Sequence, residues 1–333
     1  MHRYGAAQGV ALVKGLSTRG LMLTPPWRAG GAPRGRRAPD GIVERAATFA
    51  GYRTRVLEVA GQGPPFLLLH GFSDSADTWW PLLQHLARRG RRARAVDLPS
   101  HGCADGLDPY LPALPQLVAF AEAAVLALAG GPEAAPTPAG RPIVVGNSLG
   151  GMTALLLAER CETLGGIVPI APAGFDYILP MRAALAQPVL GERVAHVLGA
   201  DSRVPMAVVT RFYAGAIRWA HARPTRADRA YVAAYRSHLA DRQAQHRLAL
   251  LLRCLVEETR GVAPFQCGLV RCPVMLVWGD HDRITPPRAV RRVQAVLPQA
   301  RTEVLAGTGH VPQREAPDRI ADLLCEFAAS TAG

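Results

Sequence analysis

The sequence feature that most constrains this chain is a serine, Ser148, held between glycines at the junction of two apolar runs. Residues 143–145 are β-branched and lie between a proline and a glycine, which is typical of a buried strand. Residues 152–159 are rich in alanine and leucine, which favours a helix. The connecting Gly146-Asn-Ser-Leu-Gly150 fits G-x-S-x-G, a sharp strand-to-helix turn around a strained serine. Such a turn presents the hydroxyl at a helix N-terminus, where backbone dipoles favour developing negative charge.

Strands and helices alternate along most of the remaining chain. Apolar runs predict eight strands, and segments with apolar residues at helical spacing lie between them. The Gly-Gln-Gly-Pro-Pro stretch at residues 61–65 predicts a turn. The predicted strands cover residues 42–49, 52–59, 66–70, 93–97, 143–145, 164–171, 272–279 and 301–305, and the predicted helices include 75–89, 114–129, 152–159, 289–297 and 318–329. This pattern predicts an α/β fold with a mostly parallel sheet covered by helices on both faces, whose reactive groups collect at the carboxyl ends of the strands.

One long segment, residues 175–265, interrupts the alternation. It holds helical patterns over residues 204–221 and 226–259 and no convincing strand, and it is longer than an ordinary loop. We therefore predict a helical cap inserted after the sixth strand of an α/β core formed by residues 41–174 and 266–333. Residues 1–40 are rich in glycine, proline and arginine, which predicts a disordered basic tail.

The net charge of +12 raises the question of nucleic-acid binding. Residues 1–40 carry seven arginine or lysine residues against one aspartate, so about half of the excess lies in the predicted tail. The arginine-rich run at residues 88–94 follows a predicted helix end, where cations are favourable and solvated. This run has neither interleaved aromatic residues nor a nucleic-acid-binding motif. We therefore expect no nucleic-acid partner.

The cysteines and the apolar runs restrict the cellular setting. The six cysteines have neither a disulfide framework nor paired metal-ligand spacing, so we expect reduced thiols and a cytoplasmic protein without a bound metal. No apolar run reaches the roughly 18 residues that a membrane span needs, so no integral membrane segment is predicted. The N-terminal segment lacks a secretory signal, and an arginine-rich transit peptide is the alternative.

Five motifs occur in an order that resembles the α/β-hydrolase superfamily, in its serine-nucleophile, esterase- and lipase-like branch with a helical cap. The resemblance covers residues 42–174 and 266–333 and implies an eight-stranded, mostly parallel sheet without a cofactor. It places the nucleophile first, the acid second and the histidine last along the chain. The motifs are His70-Gly-Phe72, Asp97-Leu-Pro-Ser-His-Gly102, Gly146-Asn-Ser-Leu-Gly150, Trp278-Gly-Asp-His-Asp282 and Gly307-Thr-Gly-His310.

The resemblance also implies a role for each site residue. Ser148 is the expected nucleophile, which His310 activates as general base before it acts as general acid. Asp282 is expected to hold the histidine tautomer and stabilise the imidazolium. The backbone N–H groups of Phe72 and Leu149 are the expected oxyanion hole.

Other residues near these motifs offer alternatives. Asp280 lies two residues before Asp282, and Asp176 follows the sixth strand, where some relatives place the acid. His70 and His101 follow predicted strands, and the resemblance makes them structural or pocket-rim residues. Neither histidine has other metal-ligating residues at a suitable spacing.

Several branches of the superfamily differ from this chain at single positions. Haloalkane dehalogenases and epoxide hydrolases have an aspartate nucleophile where this chain has Ser148. Carbon–carbon bond hydrolases typically place tryptophan after the catalytic histidine, where this chain has Val311, and prolyl iminopeptidases favour tryptophan at the position of Leu149. The resemblance therefore implies a carboxylesterase or lipase acting on a small-molecule ester or acyl substrate. A carbon–carbon bond hydrolase and an acyltransferase of the same fold are the alternatives, followed by a non-catalytic ligand-binding relative. No motif indicates the acyl length or the oligomeric state.

Overall fold

The structure is a computed structural model that describes residues 36–37, 41–130, 140–177, 204–223, 231–233, 235–236, 238, 242–259 and 265–331. Its centre is a sheet of eight strands, extended at one edge by the two-residue strand Arg36–Arg37. The eight are β1 Val43–Phe49, β2 Tyr52–Val59, β3 Gln62–Leu69, β4 Arg91–Val96, β5 Ile143–Asn147, β6 Gly166–Ile170, β7 Met275–Gly279 and β8 Arg301–Leu305.

The strand order places the carboxyl ends of six strands at one edge of the sheet. From the edge strand onward the order is β1-β2-β4-β3-β5-β6-β7-β8. The pairs β1–β2 and β2–β4 are antiparallel. The remaining pairs, β4–β3, β3–β5, β5–β6, β6–β7 and β7–β8, are parallel. Helical crossovers join the parallel strands, as that pairing requires. The predicted α/β-hydrolase fold, with its mostly parallel sheet, is confirmed.

Helices cover both faces of the sheet. The helices of the core are α1 Trp80–Arg88, α2 Ala113–Ala129, α3 Leu149–Ala158, α6 Ala289–Val296, α7 Pro312–Glu315 and α8 Pro317–Thr331. One apolar cluster joins the sheet to α2, α3 and α6, and a second joins the opposite face to α1 and α8. Every residue of α3 is buried, so the helix that follows Ser148 is enclosed on all sides.

A helical insertion separates β6 from β7, as predicted. It contains α4 Met206–Ala220 and α5 Arg242–Thr259, together with helical residues at 231–233, 235–236 and 238. These helices share their own apolar cluster, and Phe72 of the core packs against it. Part of the predicted cap, residues 178–203, 224–230, 234, 237, 239–241 and 260–264, and most of the predicted tail lie outside the described residues.

The start of β3 differs from the sequence prediction. The turn predicted at residues 61–65 is wrong, because β3 already begins at Gln62. Its two prolines fit there because the β3–β4 pairing shifts register between Gln62 and Phe66, and the β3–β5 pairing begins only at Phe66.

Within the predicted tail, Arg36–Arg37 pairs with Val43 and Glu44 of β1. Among the described helices, none combines the length and hydrophobicity that crossing a bilayer requires.

Candidate active site

Ser148 lies in the turn between β5 and α3 with an unusual backbone conformation. Its φ is 52° and its ψ is −110°, a sparsely populated combination for a residue with a Cβ atom. The Ser148 N–H donates to the carbonyl of Ile170 at 2.9 Å, and its carbonyl accepts from the N–H groups of Met152 at 2.9 Å and Ala173 at 3.1 Å. The surrounding backbone therefore holds the strained residue from both sides.

Two glycines make this turn possible because other backbone segments pass very close to them. A Cβ at Gly146 would lie 2.2 Å from the carbonyl oxygen of Gly150. A Cβ at Gly150 would lie 2.1 Å from the carbonyl oxygen of Leu69, at the end of β3. The requirement is one of space, since neither glycine is among those with a positive φ.

The close approach at Gly150 predicts a large loss of stability in Gly150→Ala. Because the clashing atoms belong to the backbone, β3 or α3 has to shift, and we expect the free energy of unfolding to fall by about 3 kcal/mol. Gly215→Ala is the matched control, since Gly215 lies in α4 with no atom within 4 Å of an added Cβ. We expect it to stabilise the protein by about 0.5–1 kcal/mol. Urea unfolding measures both changes, and equal midpoints for the two variants would contradict this account.

His310 and Asp282 are in contact, although 28 positions separate them in sequence. His310 Nδ1 lies 2.8 Å from Asp282 Oδ2, and both side chains are buried. Asp282 Oδ1 accepts from the N–H groups of Ile284 at 2.8 Å and Thr285 at 3.0 Å, which fixes the carboxylate. With Nδ1–H donating to the carboxylate, Nε2 is the imidazole nitrogen that can accept a proton.

The side chain of Asn147 connects the serine turn to the histidine loop. Its Nδ2 donates to the carbonyl oxygens of His310 at 2.9 Å and Ile170 at 3.2 Å. Among the described residues, no hydrogen bond joins Ser148 Oγ to His310. Such contacts are commonly longer without substrate than in the reacting complex. The structure thus brings His310 to Asp282 directly and links it to the Ser148 turn through Asn147.

The alternative carboxylates lie against other groups. Asp176 Oδ2 is 3.0 Å from Arg288 Nε, and although burial raises the pKa of Asp176, the hydrogen bond to Arg288 leaves it below its ordinary value. Asp280 Oδ1 lies 2.6 Å from His281 Nδ1 and accepts from the Gly307 N–H at 2.7 Å. Of the three aspartates considered from sequence, Asp282 is the one in contact with His310 Nδ1.

The two expected oxyanion donors belong to backbone segments beside Ser148. A Cβ at Gly71 would lie 3.4 Å from the Cβ of Ser148, which places the segment that carries Phe72 next to the turn. Leu149 is the first residue of α3, so its N–H has no partner within the helix. Neither the Phe72 N–H nor the Leu149 N–H donates to another described residue. Two unpaired donors beside a hydroxyl can stabilise a negatively charged oxygen.

A buried ionic network supports the segment after Phe72, and the sequence did not indicate it. Arg55 Nε donates to Asp97 Oδ2 at 3.0 Å, and its Nη2 donates to Asp77 Oδ2 at 2.8 Å. Asp97 also accepts from the N–H groups of Ala76 at 2.7 Å and Cys103 at 2.9 Å. The aspartate of the Asp97–Gly102 motif therefore fixes two loops at the edge of the sheet.

The two histidines of the early motifs are buried and structural. His70 Nε2 accepts from the Leu98 N–H at 2.9 Å, so its Nδ1 carries the hydrogen that is donated to the Gly71 carbonyl at 2.8 Å. Burial lowers the pKa of His70 and lowers that of His101 to about 3, which keeps both neutral. Within the described ranges, no three histidine, cysteine or acidic side chains form a group suited to a metal ion.

The helical insertion also contacts the histidine loop. The His310 N–H donates to the carbonyl of Ala220, the last residue of α4, at 2.8 Å. Glu315 bridges the two elements, because its carboxylate accepts from the N–H of Gly309 at 2.7 Å and from that of Ala222 at 2.8 Å. No motif in the sequence indicated Glu315, which acts between residues far apart in the chain.

An ion pair between the insertion and the core predicts a pH-dependent stability. His238 Nε2 lies 2.9 Å from Asp77 Oδ2. Burial lowers the pKa of His238, but hydrogen bonds to Asp77 and Cys103 outweigh it and raise the pKa to about 10. The raised value means that protonated His238 stabilises the fold below its ordinary pKa of 6.5, and that this contribution is lost as the pH rises through 10.

We therefore expect wild type to exceed His238→Gln in free energy of unfolding at pH 6.5, and the difference to shrink towards pH 10. Asp77 remains ionised over this range because His238 and Arg55 lower its pKa despite its burial. Urea unfolding of both proteins at each pH measures this difference in free energy. Groups that titrate alike in the two proteins contribute equally to both and do not affect the difference. A difference independent of pH would show that His238 is not protonated in the folded protein.

Comparison with known proteins agrees with this geometry. Residues 66–323 match the alpha/beta hydrolase family. A pimeloyl-(acyl-carrier protein) methyl ester esterase of Xanthomonas oryzae pv. oryzae is 30% identical over 282 residues, which cover 82% of this chain and 98% of the relative. An uncharacterised Mycobacterium tuberculosis protein is 27% identical over 292 residues, which cover 85% of this chain and 80% of the relative.

Solved structures share the fold at lower sequence identity. A putative lipase from Acinetobacter baumannii has a TM-score of 0.66 and 20% identity, with 88% of this chain and 92% of that chain covered. A 2-hydroxy-6-oxo-6-phenylhexa-2,4-dienoate hydrolase from a Rhodococcus species has a TM-score of 0.68 and 20% identity, with 86% and 98% covered. The family match extends over more than half of the sequence, and the chain therefore belongs to the alpha/beta hydrolase family.

Proposed function

We propose that this protein hydrolyses carboxylic esters through an acyl-enzyme intermediate on Ser148, with His310 as general base and Asp282 as its orienting acid. The observation that carries the proposal is the buried 2.8 Å contact between His310 Nδ1 and Asp282 Oδ2 at the edge of the sheet that presents Ser148. The Xanthomonas relative is named as a methyl ester esterase, which supports ester substrates.

The arrangement accounts for each step of such a reaction. His310 Nε2 takes the proton of Ser148 Oγ as the oxygen attacks the ester carbonyl. The N–H groups of Phe72 and Leu149 donate to the carbonyl oxygen as it becomes negative. His310 then gives its proton to the departing alcohol. A water molecule, deprotonated by the same imidazole, attacks the acyl carbonyl, and His310 returns that proton to Ser148 Oγ as the acid leaves. Asp282 accepts from Nδ1–H throughout and stabilises the imidazolium.

Two other reactions use the same residues. The Rhodococcus structure is named as a hydrolase of 2-hydroxy-6-oxo-6-phenylhexa-2,4-dienoate. A carbon–carbon bond hydrolase is one alternative, but that class typically has tryptophan where this chain has Val311. An acyltransferase would pass the acyl group from Ser148 to an alcohol or thiol instead of water. Hydrolysis and acyl transfer differ in how well the cap, which we assign to residues 175–265, keeps water from the acyl-enzyme.

A series of p-nitrophenyl esters from short to long acyl chains tests the proposal. We expect turnover by wild type, with the best chain length reporting the size of the acyl pocket. The methyl ester of an acyl-carrier-protein-bound pimelate, the substrate in the relative's name, belongs in the same series. A folded wild-type protein that hydrolyses none of these esters would overturn the proposal, and carbon–carbon substrates and acyl transfer would then be tested.

A further inference from the structure

The segment that carries Phe72 forms a turn whose third residue, Ser73, has an unusual backbone conformation. The Asp74 N–H donates to the Gly71 carbonyl at 3.3 Å, so Phe72 and Ser73 are the central residues of the turn. Ser73 has a φ of 60°, at a turn position that glycine or asparagine usually occupies. A residue with a Cβ atom is strained in this conformation and stays there because the surrounding structure holds it.

The hydroxyl of Ser73 reaches the helical insertion. Ser73 Oγ lies 2.8 Å from the hydroxyl of Tyr235, whose side chain is buried in the cluster of the insertion. The next residue, Asp74, also bonds to a tyrosine of the insertion, because Tyr231 OH donates to Asp74 Oδ1 at 2.5 Å. Tyr231 and Tyr235 are four positions apart and face the same side of their helical segment.

The core fixes both ends of this segment, and its middle contacts both the core and the insertion. β3 ends at Leu69, and Ala76 is held through its N–H by Asp97 Oδ1 at 2.7 Å. Between them, the hydroxyl of Ser73 bonds to Tyr235, and Asp74 Oδ1 accepts from both Tyr231 OH and the Ser75 N–H. The insertion therefore contributes two hydrogen bonds to the turn that carries the Phe72 N–H.

We propose that Ser73 and Tyr235 are positioning residues for the oxyanion hole, which hold the Phe72 N–H towards Ser148 through the hydrogen bond between their hydroxyls. The inference rests on the proposed ester hydrolysis. An oxyanion donor acts over a narrow range of distances, and loss of one donor lowers kcat by about 10²–10³-fold. Loss of its support, with the donor still present, lowers kcat by about 10–100-fold and leaves KM within about threefold.

Ser73→Gly separates this role from a structural one. Glycine adopts the same φ without strain, which offsets the loss of the hydrogen bond to Tyr235, so a purely structural serine predicts a urea midpoint near that of wild type and an unchanged kcat. We expect a midpoint near that of wild type together with a reduced kcat. Tyr235→Phe is the partner variant and is expected to show the same reduction. The double variant is expected to lose no more than either single variant, because both remove one interaction.

Two controls complete the design. Ser73→Asn is expected to restore part of kcat, because asparagine tolerates the positive φ and offers a polar group to Tyr235. Tyr52→Phe removes a tyrosine hydroxyl that does not belong to the described site. This hydroxyl donates to Gln116 Oε1 at 2.5 Å, and we expect its loss to leave kcat unchanged. If wild type hydrolyses esters and Ser73→Gly and Tyr235→Phe retain its kcat, or if only KM changes, the inference is wrong while the proposed function stands.

The two proposals fail in different ways. If wild type hydrolyses no ester, the proposed function fails, and the rate at which a fluorophosphonate labels Ser148 replaces kcat as the readout. Slower labelling of Ser73→Gly and Tyr235→Phe than of wild type and Tyr52→Phe would still support the positioning role. Equal labelling rates, or a wild type that takes no label, would overturn it.

Discussion

Ser148→Ala is expected to lower kcat for ester hydrolysis by about 10⁶-fold, the largest effect of any single substitution in this chain. In the proposed mechanism the serine oxygen forms the bond to the acyl group, and alanine has no oxygen in its place. The residual rate is expected to come from substrate binding and from the two proposed oxyanion donors. Steady-state hydrolysis of the best p-nitrophenyl ester measures the effect.

A matched control for this substitution is Ser100→Ala. Ser100 is a buried serine that, like Ser148, has a positive φ, 70° against 52°, and its hydroxyl accepts from the Leu107 N–H. We expect Ser100→Ala to lose some stability and to retain kcat within about fivefold. Retention of more than a hundredth of the wild-type kcat in purified Ser148→Ala would show that the nucleophile lies elsewhere.

Asp282→Asn is expected to lower kcat by about 10⁴-fold. The amide cannot act on Nδ1–H as the carboxylate does, so His310 presents the wrong tautomer or orientation to Ser148. The amide also disturbs the acceptor site for the N–H groups of Ile284 and Thr285, so urea unfolding must show that the variant is folded at the assay temperature.

The rival carboxylates provide the comparison. Asp176→Asn removes the charge that pairs with Arg288, and Asp280→Asn removes the one beside His281. We expect each to retain kcat within about fivefold, since neither carboxylate lies against His310 Nδ1. A loss in Asp176→Asn comparable with that in Asp282→Asn would move the acid to the end of β6.

Local features of the sequence were sufficient to predict the fold and the turn at Ser148. The central strands β5, β6 and β7 are mostly apolar runs beside glycine or proline, and Gly146 and Gly150 mark a turn whose geometry excludes larger residues. The start of β3 was missed because two prolines favour a turn. Their missing N–H groups are harmless only where the strand pairing is irregular, which depends on the neighbouring strands.

The supports of the site could not be predicted, because they depend on contacts between distant parts of the chain. Arg55 meets Asp97 across 42 positions, and Ser73 meets Tyr235 across 162. Hydrophobic periodicity reports which face of an element is buried, but it does not report which polar groups meet across a sheet or beneath an insertion. For the same reason, the choice between Asp282 and Asp176 rested on resemblance until the structure placed each carboxylate.

Labelling with a fluorophosphonate, followed by intact-protein and peptide mass spectrometry, tests the central claim most directly, because the reagent reacts with an activated serine and needs no knowledge of the natural substrate. We predict one adduct on wild type, located on the peptide that contains Ser148, no adduct on Ser148→Ala, and slower labelling of Asp282→Asn. A folded wild-type protein that takes no adduct, or an adduct on another residue, would contradict the assignment of Ser148 as the nucleophile.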